Sequence, residues 1–204
     1  VKATPGALAA IAALAAYAAG VFLLLLARGY RLRAPRKNAP RPPPEPVAAD
    51  ALGLTLRASH SGHRYYQNEL PPKQHGPFVE DALFGQDVAG EFFYQRALEA
   101  LVGGARDAPV YFRTVAQLWP EPDNPHDANA VAVRIGGVAV GHIKRAECAA
   151  FGRLIAERCP DGFAQCRALI AGGGRPGRDG KPTLYSVRLD IALPSDIAGR
   201  AEPR

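Results

Sequence analysis

Apolar and polar side chains alternate from Val110 to Leu118. A period of two predicts a half-buried strand. Two further apolar runs, Ala130 to Ile135 and Val138 to Ile143, flank Gly136-Gly137. That pair favours a tight turn, so the runs predict a hairpin. From Tyr94 to Val102 the spacing changes: Ala97, Leu98, Leu101 and Val102 fall on one helical face, and Gly103-Gly104 should end the helix. Arg145 to Arg158 predicts a second helix, with Ala149, Leu154 and Ile155 inward. Phe163 to Ile170 and Thr183 to Ile191 predict strands joined by a loop rich in Gly and Arg, and Val88 to Phe93 a strand bent at Gly90. Leu52 to Leu56 is compatible with one more short strand. The sum is a mainly β fold with two helices, an antiparallel β-barrel of OB-like character. No alternation of long βαβ units is present, which argues against Rossmann and P-loop enzymes.

The pattern is different upstream. Residues 7–27 carry no charge, enough for a helix to cross a bilayer core. Arg28, Arg31, Arg33, Arg36 and Lys37 follow, against Lys2 alone before the run. A cleaved signal peptide would show the basic residues first and a shorter apolar core. The expectation is one N-terminal transmembrane helix, with residues 1–33 as anchor and basic flank. Basic flanks stay cytoplasmic, so the C-terminal domain is expected on the cytoplasmic side of the inner (cell) membrane. Residues 34–47 are proline-rich and predict an extended polyproline II spacer. Residues 48–86 read as a polar extension, 87–194 as the folded domain and 195–204 as a tail.

Charge qualifies any functional reading. The formal net charge is +6, but Lys2 to Arg41 hold no acid, and from Asp87 onward acids and bases nearly balance. The excess therefore belongs to the membrane flank, where it can meet anionic headgroups. A broad phosphate-binding face would need more positive charge. Any nucleic-acid site in the domain should be small and local. Cys148, Cys159 and Cys166 match no zinc or redox spacing and read as reduced thiols.

The densest chemistry lies between Glu121 and Arg145. Glu121-Pro122-Asp123-Asn124-Pro125-His126-Asp127-Ala128-Asn129-Ala130-Val131 is followed by Val140-Gly141-His142-Ile143-Lys144-Arg145. Asn124, Asp127 and Asn129 are residue types that bond nearby backbone N–H groups, so the loop can be pure turn architecture. The order of the two segments also resembles the HIRAN domain, a small β-rich module found alone in bacteria and fused to helicases in eukaryotes. The resemblance covers about half of the chain. It implies binding of single-stranded DNA ends. Carried over, it makes Asp127 the acceptor of a terminal 3′-hydroxyl, with an aromatic neighbour stacked on the base. A carboxylate suits this role because it accepts an O–H and repels a phosphate in its place. His126 stands where the family's pattern has tyrosine, and a histidine can still stack on a base. Phe92, Phe93 and Tyr94 lie on the segment that supplies further aromatic contacts, and Asn124, His142, Lys144 and Arg145 complete the implied interface.

No catalytic set emerges: there is no H-E-x-x-H, G-x-S-x-G or Walker loop. The chain reads as a binding module, not an enzyme, with no cofactor. A metal-dependent enzyme would have to use His60, His63, His75 and Asp127, whose spacing suits no metal site. The leading expectation is a membrane-tethered module for single-stranded DNA 3′ ends, held to the bilayer through residues 7–27. The alternative is a scaffold that keeps the barrel, lacks end binding and serves an unidentified protein partner.

Overall fold

The computed structural model of the chain describes residues 42–46, 48, 51–104, 108–174, 180 and 183–193. The apolar run 7–27 lies outside them. Among the described residues no helix is long and apolar enough to cross a membrane.

The chain runs β1 (Thr55–Ala58), β2 (Arg64–Gln67), β3 (Gln86–Asp87), a 3₁₀ turn (Glu91–Tyr94), α1 (Gln95–Leu101), β4 (Val110–Pro120), β5 (Val131–Ile135), β6 (Val138–His142), α2 (Arg145–Arg158), β7 (Ala164–Gly172) and β8 (Ser186–Leu189). β4 is the spine. It pairs along one edge with β7, from Val110 opposite Gly172 to Leu118 opposite Ala164. Its other edge is shared: Val110 and Tyr111 pair with β2, and Ala116 to Pro120 pair with β5. The remaining order is β7-β8-β3 on one side and β2-β1 on the other.

Two expectations about the sheet are corrected. It is mixed, because β2 runs parallel to β4. It is also not closed into a barrel. Between β3 and β6 the link is a single antiparallel bridge, Ala89 to His142. The reason is local. Gly90 takes φ 81°, and the chain leaves the extended path for the 3₁₀ turn before a ladder can form. The strand expected through Phe93 therefore stops before Gly90.

The hairpin expectation holds. β5 and β6 flank Gly136 and Gly137, both with positive φ (58° and 79°). α1 is built from good helix formers and ends where Gly103 and Gly104 donate back to Ala100 and Glu99. α2 buries Cys148, Ala150, Phe151, Leu154 and Ile155, while Ala149, expected inward, is exposed. The core joins Leu98 and Val102 from α1 to Leu118, Val133, Ile170 and Leu189 from the sheet. Cys148 and Cys166 are buried, and all three thiols are free. Burial pushes the Cys148 and Cys166 thiols upward, keeping them protonated and unreactive.

The segment 48–86 contributes β1 and β2 and carries buried Phe78 and Phe84. Two buried acids anchor it. Glu80 accepts from the Arg167 backbone N–H at 2.6 Å and from that of Gln74 at 2.8 Å. Asp190 accepts from the N–H groups of Asp81 (3.1 Å) and Ala82 (2.7 Å) and pairs with the Arg167 guanidinium.

Candidate nucleic-acid interface

Three pieces of chain meet around the loop from Glu121 to Ala130. The loop itself is fixed by its own polar side chains. Asn124 Oδ1 accepts from the His126 N–H at 3.0 Å, and Asp127 Oδ1 from the Asn129 N–H at 2.9 Å. Both are side-chain turns of the kind these residues favour. The backbone closes the loop: Glu121 N–H donates to Ala130 O, and Ala130 N–H to Asp127 O. The second piece is the β6–α2 junction, tied to β5 by the Ile143 N–H on Val131 O. The third is the 3₁₀ turn. The Ala89–His142 bridge holds it to β6 with reciprocal bonds of 2.8 and 2.9 Å.

The side chain at the centre is Glu121. His142 Nε2 lies 3.3 Å from its Oε2, Asn124 Nδ2 donates to the same oxygen at 3.0 Å, and the Arg134 guanidinium lies 3.6 Å from Oε1. The His142 bond, aided by Asn124 and Arg134, outweighs partial burial and holds the Glu121 carboxyl below its ordinary range. The Tyr94 ring lies 6.5 Å from that of His142, and burial together with the nearby Glu121 charge raises the Tyr94 hydroxyl pKa. Tyr94, Asn124 and His142 are thus brought together.

The other implied residues are placed differently. Phe92 and Phe93 sit on the 3₁₀ turn, not on a strand. They are 69% and 84% exposed and touch each other edge to face at 5.6 Å. Asp127 Oδ2 meets Arg145 Nε at 3.4 Å, with Arg145 itself 86% exposed. Lys144 points to a different acid, Asp87, at 3.0 Å. That contact holds the Asp87 carboxyl below its usual range. His126 is exposed. Among the described residues no group of three or more His, Cys, Asp or Glu gathers as a metal site.

Three residues around this site were given no role by sequence reasoning. Glu121 organises the loop. Trp119 stacks on Phe163 with ring centroids 4.4 Å apart and 11° between planes, and Arg134 lies over the Trp119 ring at 5.7 Å. Glu121 and Trp119 stand inside or next to the loop motif, so position alone could have flagged them. Arg134 could not be flagged, because its partners come from the β4–β5 register.

Residues 97–162 match the model of the HIRAN domain family. No curated protein and no solved structure matches the chain. The matched span holds the loop, the β5–β6 hairpin and both helices almost entire, with the aromatic turn just upstream. Residues 97–162 are thus similar to a HIRAN domain, and that similarity points to nucleic-acid binding.

Proposed function

We propose that the domain binds the 3′ end of single-stranded DNA on the face shared by the 3₁₀ turn, the 121–130 loop and the β6–α2 junction, and does so without catalysis. The observation that carries this reading is the exposed Phe92–Phe93 pair, tied by the Ala89–His142 bridge to the strand end beside the loop. Adjacent, solvent-facing phenylalanines are a poor surface for water and a good platform for a base. Asp127 supplies the end test. Its carboxylate is oriented by Asn129 and Arg145, and two acceptor oxygens with about four lone-pair sites leave room for a terminal hydroxyl. Arg145 is a surface partner, so its ion pair opens at little cost.

The full chain should prefer an oligonucleotide ending in a 3′-hydroxyl over one ending in a 3′-phosphate. Asp127→Ala should remove the preference more than it removes binding, since stacking persists. Losing one hydrogen bond to a charged acceptor costs about 1.5–3 kcal/mol, roughly tenfold to hundredfold for the hydroxyl-ended strand alone. Fluorescence anisotropy at low salt measures this. Equal affinity for both ends in the wild type would reject end recognition.

A second reading, a scaffold module for a protein partner, is favoured by the ion pairs at Lys144 and Arg145. Both cations already meet acids, Asp87 and Asp127. Absence of oligonucleotide binding at low salt would select it.

The proposal extends to a tether: residues 7–27 anchor the chain, with the domain on the cytoplasmic face, on the strength of the uncharged run and the basic flank. Protease added outside intact spheroplasts should leave the domain whole. Its digestion there would reverse the orientation.

A further inference from the structure

We infer that the cavity between the β1–β2 turn and the start of β4 is a second site, one that takes a nucleotide with its base on a tyrosine pair and its phosphate on Ser61, His63 and Arg64. This inference stands on different residues from the end-binding face and does not depend on that reading.

The parallel pairing of β2 with β4 sets Gln67 opposite Tyr111. By the period of two, Tyr65 and Gln67 share a sheet face with it. The two tyrosine rings meet edge to face at 5.3 Å and 80°. Tyr111 is 41% exposed, so ring surface remains open to a ligand. On the other wall, the turn is closed by the Ser59 N–H on His63 O and the Gly62 N–H on Ser59 O, with Gly62 at φ 78°. Its side chains form a chain: Ser59 Oγ to Ser61 Oγ at 2.9 Å, then Ser61 Oγ to His63 Nδ1 at 2.8 Å. This orients the imidazole and leaves its Nε2 without a partner among the described residues. Arg64 likewise makes no ion pair among them.

The cavity between these walls has a volume of about 410 Å³, within the range of small-molecule sites. Its lining holds hydroxyl, imidazole and guanidinium groups, two aromatic rings and no carboxylate. Donors gathered without an acid suit a phosphate, and open aromatic faces suit a base. A neighbouring cavity of about 740 Å³ shares Gln67 and presents Arg57 and Arg113 with one acid, Glu69. Arg57 is the cross-strand partner of Tyr65. The cationic face thus continues past the first site, so the nucleotide can be free or one unit of a strand.

The test uses the full chain with thymidine 5′-monophosphate, inorganic phosphate, a phosphotyrosine peptide and a ten-residue oligothymidylate ending in a 3′-phosphate. Titration calorimetry and ligand-observed NMR read the binding. Arg64→Ala is the main variant, since the side chain is exposed and its loss should leave the melting temperature unchanged. Tyr111→Leu tests the base contact, and Asp127→Ala marks the other face. The monophosphate should bind the wild type and Asp127→Ala alike, and about tenfold more weakly to Arg64→Ala and Tyr111→Leu. If the oligonucleotide weakens in parallel, the site serves a strand; if it does not, the site serves a free nucleotide; both outcomes support the inference. No monophosphate binding, equal binding to Arg64→Ala, phosphate binding as well as the monophosphate, or a tighter phosphotyrosine peptide would each overturn it.

Discussion

Arg167→Met should destabilise the domain by about 3–5 kcal/mol, the usual cost of breaking a buried ion pair from one side. The guanidinium lies between Asp190 and Glu80, and the three side chains are 5%, 0% and 3% exposed. Without it, two buried carboxylates face each other unneutralised, and domains of this kind have only about 5–15 kcal/mol in hand. Burial alone would raise the Asp190 carboxyl. The Arg167 guanidinium and the bonds from Asp81 outweigh that and hold it below its ordinary value. A depressed carboxyl contributes stability that is present above the unfolded-state value and lost as pH falls through the folded one. Wild type should therefore lose stability on acidification below about pH 4, near the unfolded aspartate value. In Arg167→Met that contribution disappears, so its acid limb should be flatter. Urea unfolding at pH 7 and pH 3 reads both effects; a loss under 1 kcal/mol at neutral pH would mean that these charges reach water. Asp190 also bonds the N–H of Ala82, which takes φ 68°, so the loss should loosen that loop first.

Gly141→Ala is expected to damage stability and the candidate interface together. Gly141 has φ +153°, and a Cβ built there would lie 2.4 Å from Val88 Cγ1 and 2.7 Å from the Ala89 carbonyl oxygen. The β-branched Val88 side chain is buried in the core, and the carbonyl belongs to the bridge with His142 and cannot retreat without breaking it. Backbone strain and overpacking each cost about 1–3 kcal/mol, so a loss of about 2–4 kcal/mol is expected. The displaced segment carries the 3₁₀ turn, so Phe92 and Phe93 should lose their fixed position next to β6. Oligonucleotide binding should then fall at temperatures where the variant is still folded, as circular dichroism can verify. Unchanged affinity in a folded Gly141→Ala would separate the aromatic turn from binding.

The sequence by itself determined several elements whose signal is local. The glycine pair at 136–137 fixed the hairpin because a turn needing positive φ at two positions accepts few other residues. The helical spacing of Ala97, Leu98, Leu101 and Val102 placed α1 because a single face must be buried. The loop motif marked the candidate site because asparagine and aspartate close turns through their own side chains. Tertiary structure alone decided the rest. Sequence alternation cannot distinguish parallel from antiparallel pairing, so β2 beside β4 was invisible, and with it the meeting of Tyr65 and Tyr111. Whether a sheet closes depends on where distant strands end, and Gly90 ends this one after a single bridge. No local pattern marks Arg167, Glu80 and Asp190 as buried; the fold alone removes all three from water. Glu121 became the centre of its cluster only because the β4–β5 and β5–β6 registers carry Arg134 and His142 to it across the sheet.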